Sequence, residues 1–112
     1  MCNCEKPILS STATTAVDSG ALLITPTVTL SPDNEERVKI LITTSTPSAG
    51  ASLPAQILLN GENVFLLDKF GNIVYGNQLY ENMVIKGYYG NNGYSNTPHF
   101  QLVKIPHRYY YY

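Results

Sequence analysis

Side chains able to do chemistry are few in this chain and widely spaced. His99 and His107 have no Cys, Asp or Glu beside them at the spacing of a metal site or a catalytic triad, and His99 follows Thr97-Pro98 where a strand begins. Glu62 and Asp68 flank one apolar run. Acid catalysis of the glycosidase type needs two carboxylates facing each other across a cleft, whereas these two fall in turns, where acids are ordinary. Cys2 and Cys4, in Met-Cys-Asn-Cys, are too close to close a useful loop by pairing with each other. They read as reduced thiols made in a cytoplasm, the sharper alternatives being a metal shared between subunits or an intersubunit disulfide. Two ligands alone do not complete a tetrahedral zinc site. Gly87-Tyr88-Tyr89-Gly90-Asn91-Asn92-Gly93 has the residue type of a phosphate cradle, but a cradle needs a following helix and the next residues promise a strand. The residues therefore predict no enzyme activity, no catalytic residue, no cofactor and no metal.

Tyrosine is the exception. Tyr75, Tyr80, Tyr88, Tyr89, Tyr94 and Tyr109 to Tyr112 all lie in the second half of the chain. A tyrosine buries a large, stiff ring at low entropic cost and keeps a hydroxyl for a polar partner, so it suits a sugar-stacking platform or a subunit interface as well as an ordinary core. Four consecutive tyrosines, Tyr109, Tyr110, Tyr111 and Tyr112, would be sticky in isolation and are expected to dock on the body or on a neighbour.

The element that must organise the chain is AQILLNGENVFLLDKFGNIV, from Ala55 to Val74. Two apolar runs meet at Asn60-Gly61, a pair able to take the positive φ angles of a tight hairpin turn. Alternation places Ile57, Leu59, Val64 and Leu66 on one face and Leu58, Phe65 and Leu67 on the other. Both faces are apolar, unlike a surface hairpin with one dry and one wet side. Either the hairpin lies centrally in a sandwich or a partner chain covers it, and in a chain this short a partner is expected over at least part of the face of Leu58, Phe65 and Leu67.

Residues 1 to 20, rich in Ser, Thr and Ala, read as an N-terminal arm that Ile8 and Leu9 could anchor. Residues 21–106 read as the β domain and residues 107–112 as a tyrosine-rich C-terminal tail. Within the domain, Ala21 to Leu30 reads as a strand at a sheet edge or broken at Pro26, which cannot donate to a ladder. Ser31 to Glu36 is an acidic turn, and Arg37 to Thr44 is a strand with Val38, Ile40 and Ile42 on one face. Residues 45–54 are a connection of small residues, and further strands are expected in 71–79, 83–89 and 99–105, with a polar loop at 90–98. About seven strands, turn signals between them and no convincing helix predict an all-β fold. It is a single small antiparallel β-sandwich or barrel with extended N- and C-terminal arms.

Charged residues are 13% of the chain and the formal net charge is −1. No basic field draws nucleic acid or an anionic membrane, and the sparse charge suits a protein that lives against neighbours. No apolar run reaches the 18 or so residues of a membrane span, and no secretory signal is read at the N-terminus.

The Met-Cys-Asn-Cys start, the Ser/Thr/Ala-rich arm, Leu59-Asn60-Gly61 and the stretch Val64-Phe65-Leu66-Leu67-Asp68-Lys69-Phe70-Gly71-Asn72 together resemble small virion structural proteins. These are found among the structural genes of tailed bacteriophages and prophages of gut bacteria. The resemblance covers residues 1–5 and 55–80. It implies a non-enzymatic head auxiliary, decoration or fibre-base component, made in a host bacterial cytoplasm and located in the virion. Such a component would bind other virion proteins, such as the major capsid protein, and associate as a homo-oligomer. A carbohydrate-binding module using the 87–98 loop, and a surface-filament subunit that donates residues 1–20 to the next copy, are the alternatives.

Overall fold

A computed structural model describes residues 8–33, 35–90 and 98–103. The expected all-β domain is a closed barrel of seven strands: β1 (Leu9–Asp18), β2 (Ala21–Pro26), β3 (Arg37–Ile42), β4 (Ala55–Leu59), β5 (Glu62–Leu67), β6 (Val84–Gly90) and β7 (His99–Leu102). Around the barrel their order is β1-β2-β4-β5-β7-β6-β3. The pairings β1–β2, β3–β6, β4–β5 and β6–β7 are antiparallel, while β1–β3, β2–β4 and β5–β7 are parallel, so the sheet is mixed rather than wholly antiparallel. Odd-numbered strands run one way and even-numbered strands the other. The 43–54 and 68–83 connections therefore cross one end, and the 27–36 connection and the Asn60-Gly61 turn share the other.

Alternation explains the interior. Val38, Ile40 and Ile42 on β3, Ile57 and Leu59 on β4, Val64 and Leu66 on β5, and Phe100 and Leu102 on β7 all point inward and are buried. Leu22, Ile24, Ile85 and Tyr89 add to the filling, with Leu30, Val74, Leu79 and Met83 from the connections. Among the described residues no polar or charged side chain is buried, so apolar burial supplies the stabilisation. At the hairpin, Asn60 (φ 55°) and Gly61 (φ 77°) both take positive φ, as a two-residue turn matched to strand twist requires. The Asn60 backbone N–H donates to Leu30 O (3.0 Å) and its side-chain amide to Pro32 O (3.0 Å), fastening the 27–36 connection over that end.

The N-terminal arm expected over residues 1–20 is corrected for most of its length. Leu9–Asp18 is the longest strand, and it closes the barrel between β2 and β3. Of its residues only Ala13 is fully buried, so backbone pairing and threonine hydroxyls carry much of the attachment. Thr12 and Thr27 bring their hydroxyls to 2.8 Å, and Thr15 accepts the company of Thr44 at 3.0 Å. Closure also removes the edge expected at Pro26, which instead ends β2 opposite Ala13.

The strand expected over 71–79 is likewise corrected. It is reduced to two isolated bridges, Leu67 with Ile73 and Pro54 with Tyr75, followed by a 3-10 turn at Gly76–Gln78. Its central residue has a structural role. Val74 donates its N–H to Leu66 O (2.9 Å) and accepts from the Ala55 N–H (2.8 Å), so it fills the gap where β4 and β5 splay apart. Gly76 then lies so close to Gly50 that a Cβ there would collide with the Gly50 carbonyl oxygen. The expected tail at residues 107–112, and the 1–7 part of the arm, lie outside the described residues.

Candidate docking wall on the outer face of the hairpin

Because β4 and β5 alternate, the residues between the core positions face away from the barrel. They are Gln56 and Leu58 on β4, and Phe65 and Leu67 on β5. The register sets Gln56 opposite Phe65 and Leu58 opposite Asn63, while the parallel neighbour β7 sets His99 opposite Phe65 and Gln101 opposite Leu67. Leu58, Phe65 and Leu67 are half-buried and stand outside the core.

The wall continues past β5. Ile73 pairs with Leu67, and Ile73 (38% exposed) and Tyr75 (43%) flank the buried Val74, so they point outward beside it. Phe70, 69% exposed, projects at the tip of the connecting turn. That turn is built by Asp68, whose carboxylate accepts the N–H groups of Phe70 (2.9 Å) and Asn72 (3.0 Å), with Gly71 at φ 86°. Lys69 places its ammonium 5.3 Å from the centre of the Phe70 ring, a cation–π contact that biases an exposed ring without covering it. Leu58, Phe65, Leu67, Ile73, Tyr75 and Phe70 thus make an apolar surface on a barrel whose inside is already filled.

Chemical candidates from the sequence separate in space. Glu62 and Asp68 lie at opposite ends of β5, roughly 20 Å apart along a strand of this length. They do not face each other across a cleft. His99 is half-buried at the start of β7, and its ring lies over Gly90, where a Cβ would meet Nε2 at 2.7 Å. Gly87 to Gly90 belong to strand β6 rather than to a loop before a helix, which removes the cradle geometry for that half of the motif. Among the described residues no group of three or more His, Cys, Asp or Glu side chains could hold a metal ion. Tyr89 is buried in the core, Tyr88 and Tyr80 are half-buried, and Tyr75 is exposed. Cys2, Cys4, Tyr94, His107 and the expected interface residues Tyr109 to Tyr112 lie outside the described residues.

Sequence reasoning named Leu58, Phe65 and Leu67 and left out Ile73 and Phe70. The signal for Ile73 was alternation about Val74 inside a segment read as a whole strand. For Phe70 it was the aspartate that starts the turn, which lifts the ring away from the sheet. Comparison with protein-family models, with curated proteins and with solved structures found no match for this chain.

Proposed function

We propose that this chain is a non-enzymatic structural component of a phage particle, an auxiliary or fibre-base domain that docks through the outer wall of β4–β5 and associates with copies of itself. One observation carries the reading. The barrel interior is filled, yet outside it Phe70, Ile73 and Tyr75 are exposed beside the half-buried Leu58, Phe65 and Leu67. Apolar side chains gain most when another polypeptide removes the remaining water from them, and aromatic anchors concentrate binding energy. The phage assignment adds the sequence resemblance described above. The strand-donation alternative has less support, because Leu9–Asp18 already completes the barrel of its own chain and donating it would open the closed sheet.

The test is size-exclusion chromatography with light scattering, joined to co-sedimentation with phage heads and tails. The expected result is an oligomer, particle association or both, reduced by Leu58→Ser with Phe65→Ser. A chain that stays monomeric at every concentration and never sediments with particles overturns the proposal.

A further inference from the structure

The opposite side of the barrel carries a different surface. On β3, Arg37, Lys39 and Leu41 alternate outward between the buried Val38, Ile40 and Ile42. On β6, Val84, Lys86 and Tyr88 do the same. The antiparallel register sets Arg37 opposite Tyr88, Lys39 opposite Lys86 and Leu41 opposite Val84. Two like charges directly across a strand pair repel, an arrangement that isolated sheets avoid. Three of the four described cations, Arg37, Lys39 and Lys86 but not Lys69, are gathered here. Strands β1 and β2 separate this basic wall from the apolar wall on one side, and β7 separates them on the other.

Negative charge is gathered as well. Of the seven described acids, Asp33, Glu35 and Glu36 lie in the 27–36 connection and Glu62 begins β5, all at the hairpin end of the barrel. The two Asn60 hydrogen bonds to Leu30 and Pro32 draw that connection onto the hairpin turn, so the four acids belong to one end. Glu36 is partly committed, its carboxylate accepting the Asp33 N–H at 2.8 Å, while Glu35 and Glu62 are exposed. Among the described residues no ion pair engages Arg37, Lys39 or Lys86. The acidic end adjoins the Arg37 end of the basic wall, where Glu36 precedes Arg37 and the backbones of Glu35 and Glu36 hydrogen-bond to Tyr89 on β6, while Lys39 and Lys86 lie further along the strands and form no ion pair with it.

We propose that copies of the chain associate by charge, the basic wall of Arg37, Lys39 and Lys86 on one copy receiving the acidic end, with Glu35 and Glu62, of another. The inference rests on the self-association in the reading above and assigns it to these two surfaces, which leaves the apolar wall for the particle. A second copy is the favoured occupant because the chain itself supplies the complementary charge. Nucleic acid fits less well, since a phosphate backbone laid along the wall would run towards Asp33, Glu35 and Glu36, and the formal net charge is −1. Contact between two different surfaces repeats from copy to copy, so it builds a ring or an open array.

The experiment is charge reversal with complementation, read by sedimentation velocity on the full chain at low and high salt. One variant carries Lys39→Glu with Lys86→Glu, which keeps a like-charged pair across the strands. The other carries Glu35→Lys with Glu62→Lys. Wild type should associate at low salt and dissociate at high salt, each variant alone should associate at least tenfold more weakly, and an equimolar mixture should regain association. Unfolding midpoints near wild type establish that the variants fold; if a reversal does not fold, Lys39→Gln with Lys86→Gln should still weaken association. A wild type monomeric at low salt, variants that associate as wild type does, or a mixture of folded variants that stays apart overturns the proposal. Loss with Leu58→Ser and Phe65→Ser but not with either charge variant overturns it while leaving the apolar reading standing. Association that appears only with added single-stranded DNA overturns it in favour of a nucleic-acid partner.

Discussion

Leu66 and Leu67 are neighbours in sequence with opposite environments, which makes them a measure of how complete the isolated barrel is. Leu66 is 0% exposed within the core, whereas Leu67 is half-buried on the outer wall between Gln101 and Ile73. Leu66→Ala removes buried methyl groups and leaves an enclosed cavity, at a cost of about 3 kcal/mol. Leu67→Ala loses about half of a leucine's transfer energy and leaves no sealed void, since water reaches the space, for about 1 kcal/mol. With a urea m value of about 1.5 kcal/mol/M, the two midpoints should fall roughly 2 M and 0.7 M below wild type. Urea denaturation at high dilution, where association adds nothing to stability, is the assay. Adding particles should then enlarge the Leu67→Ala deficit, because a partner that binds only the folded chain stabilises it by mass action. Equal losses for the two variants at high dilution would refute the reasoning. Leu67 would then be held by its own chain, and the outer wall would not be vacant.

Other perturbations follow from single contacts. Asn60→Ala removes a residue suited to φ 55° and a side-chain hydrogen bond to Pro32 O, and should cost about 2 kcal/mol by thermal or urea unfolding, with hydrogen exchange rising first in the 30–32 segment. Gly76→Ala drives a Cβ into the Gly50 carbonyl and should destabilise by about 2 kcal/mol or more, seen as a lowered unfolding midpoint, whereas Asn77→Ala, at the exposed position of the same turn, should cost under about 0.5 kcal/mol. Lys86→Glu alone replaces repulsion with attraction opposite Lys39 and should raise stability by about 0.5 kcal/mol at low salt, the gain fading as salt is added.

Much of the barrel was legible because its strongest elements obey local rules. Asn60-Gly61 fixed the β4–β5 hairpin, and alternation in RVKILI placed Val38, Ile40 and Ile42 inside. Strand β1 escaped because its sequence, LSSTATTAVD, has no large apolar residue recurring at period two. Its clue was the density of threonine, a β-branched residue that suits a pleated strand held by neighbours on both sides. The segment after β5 misled in the opposite direction. Ile73, Val74 and Tyr75 alternate as a strand does, but Gly76 and Asn77 turn the chain over the end of the barrel after two bridges. The strand count of seven survived because one omission balanced one excess. Parallel pairing was illegible for a different reason. It depends on where a connection lands across the barrel, and no local periodicity records that.

The same closure that hid this topology decides where function can reside. A closed barrel has no free edge to recruit another strand, and this interior is occupied by Phe100, Leu66, Ile40 and their neighbours, so recognition has to use walls and ends. Along every strand one set of residues is committed to the core, and only the alternate set is free to differ from wall to wall. That set includes Leu58, Phe65 and Leu67 beside Gln56 and Asn63 on β4 and β5, small and polar residues on β1, and Arg37, Lys39 and Lys86 beside Leu41, Val84 and Tyr88 on β3 and β6. Folding alone would accept any mixture of polar residues at these positions, because none of them fills the barrel. The gathering of three cations on one wall and three large apolar side chains on another is what folding leaves unexplained, and the two contacts proposed above, one dry and one charged, are the explanation the variants test.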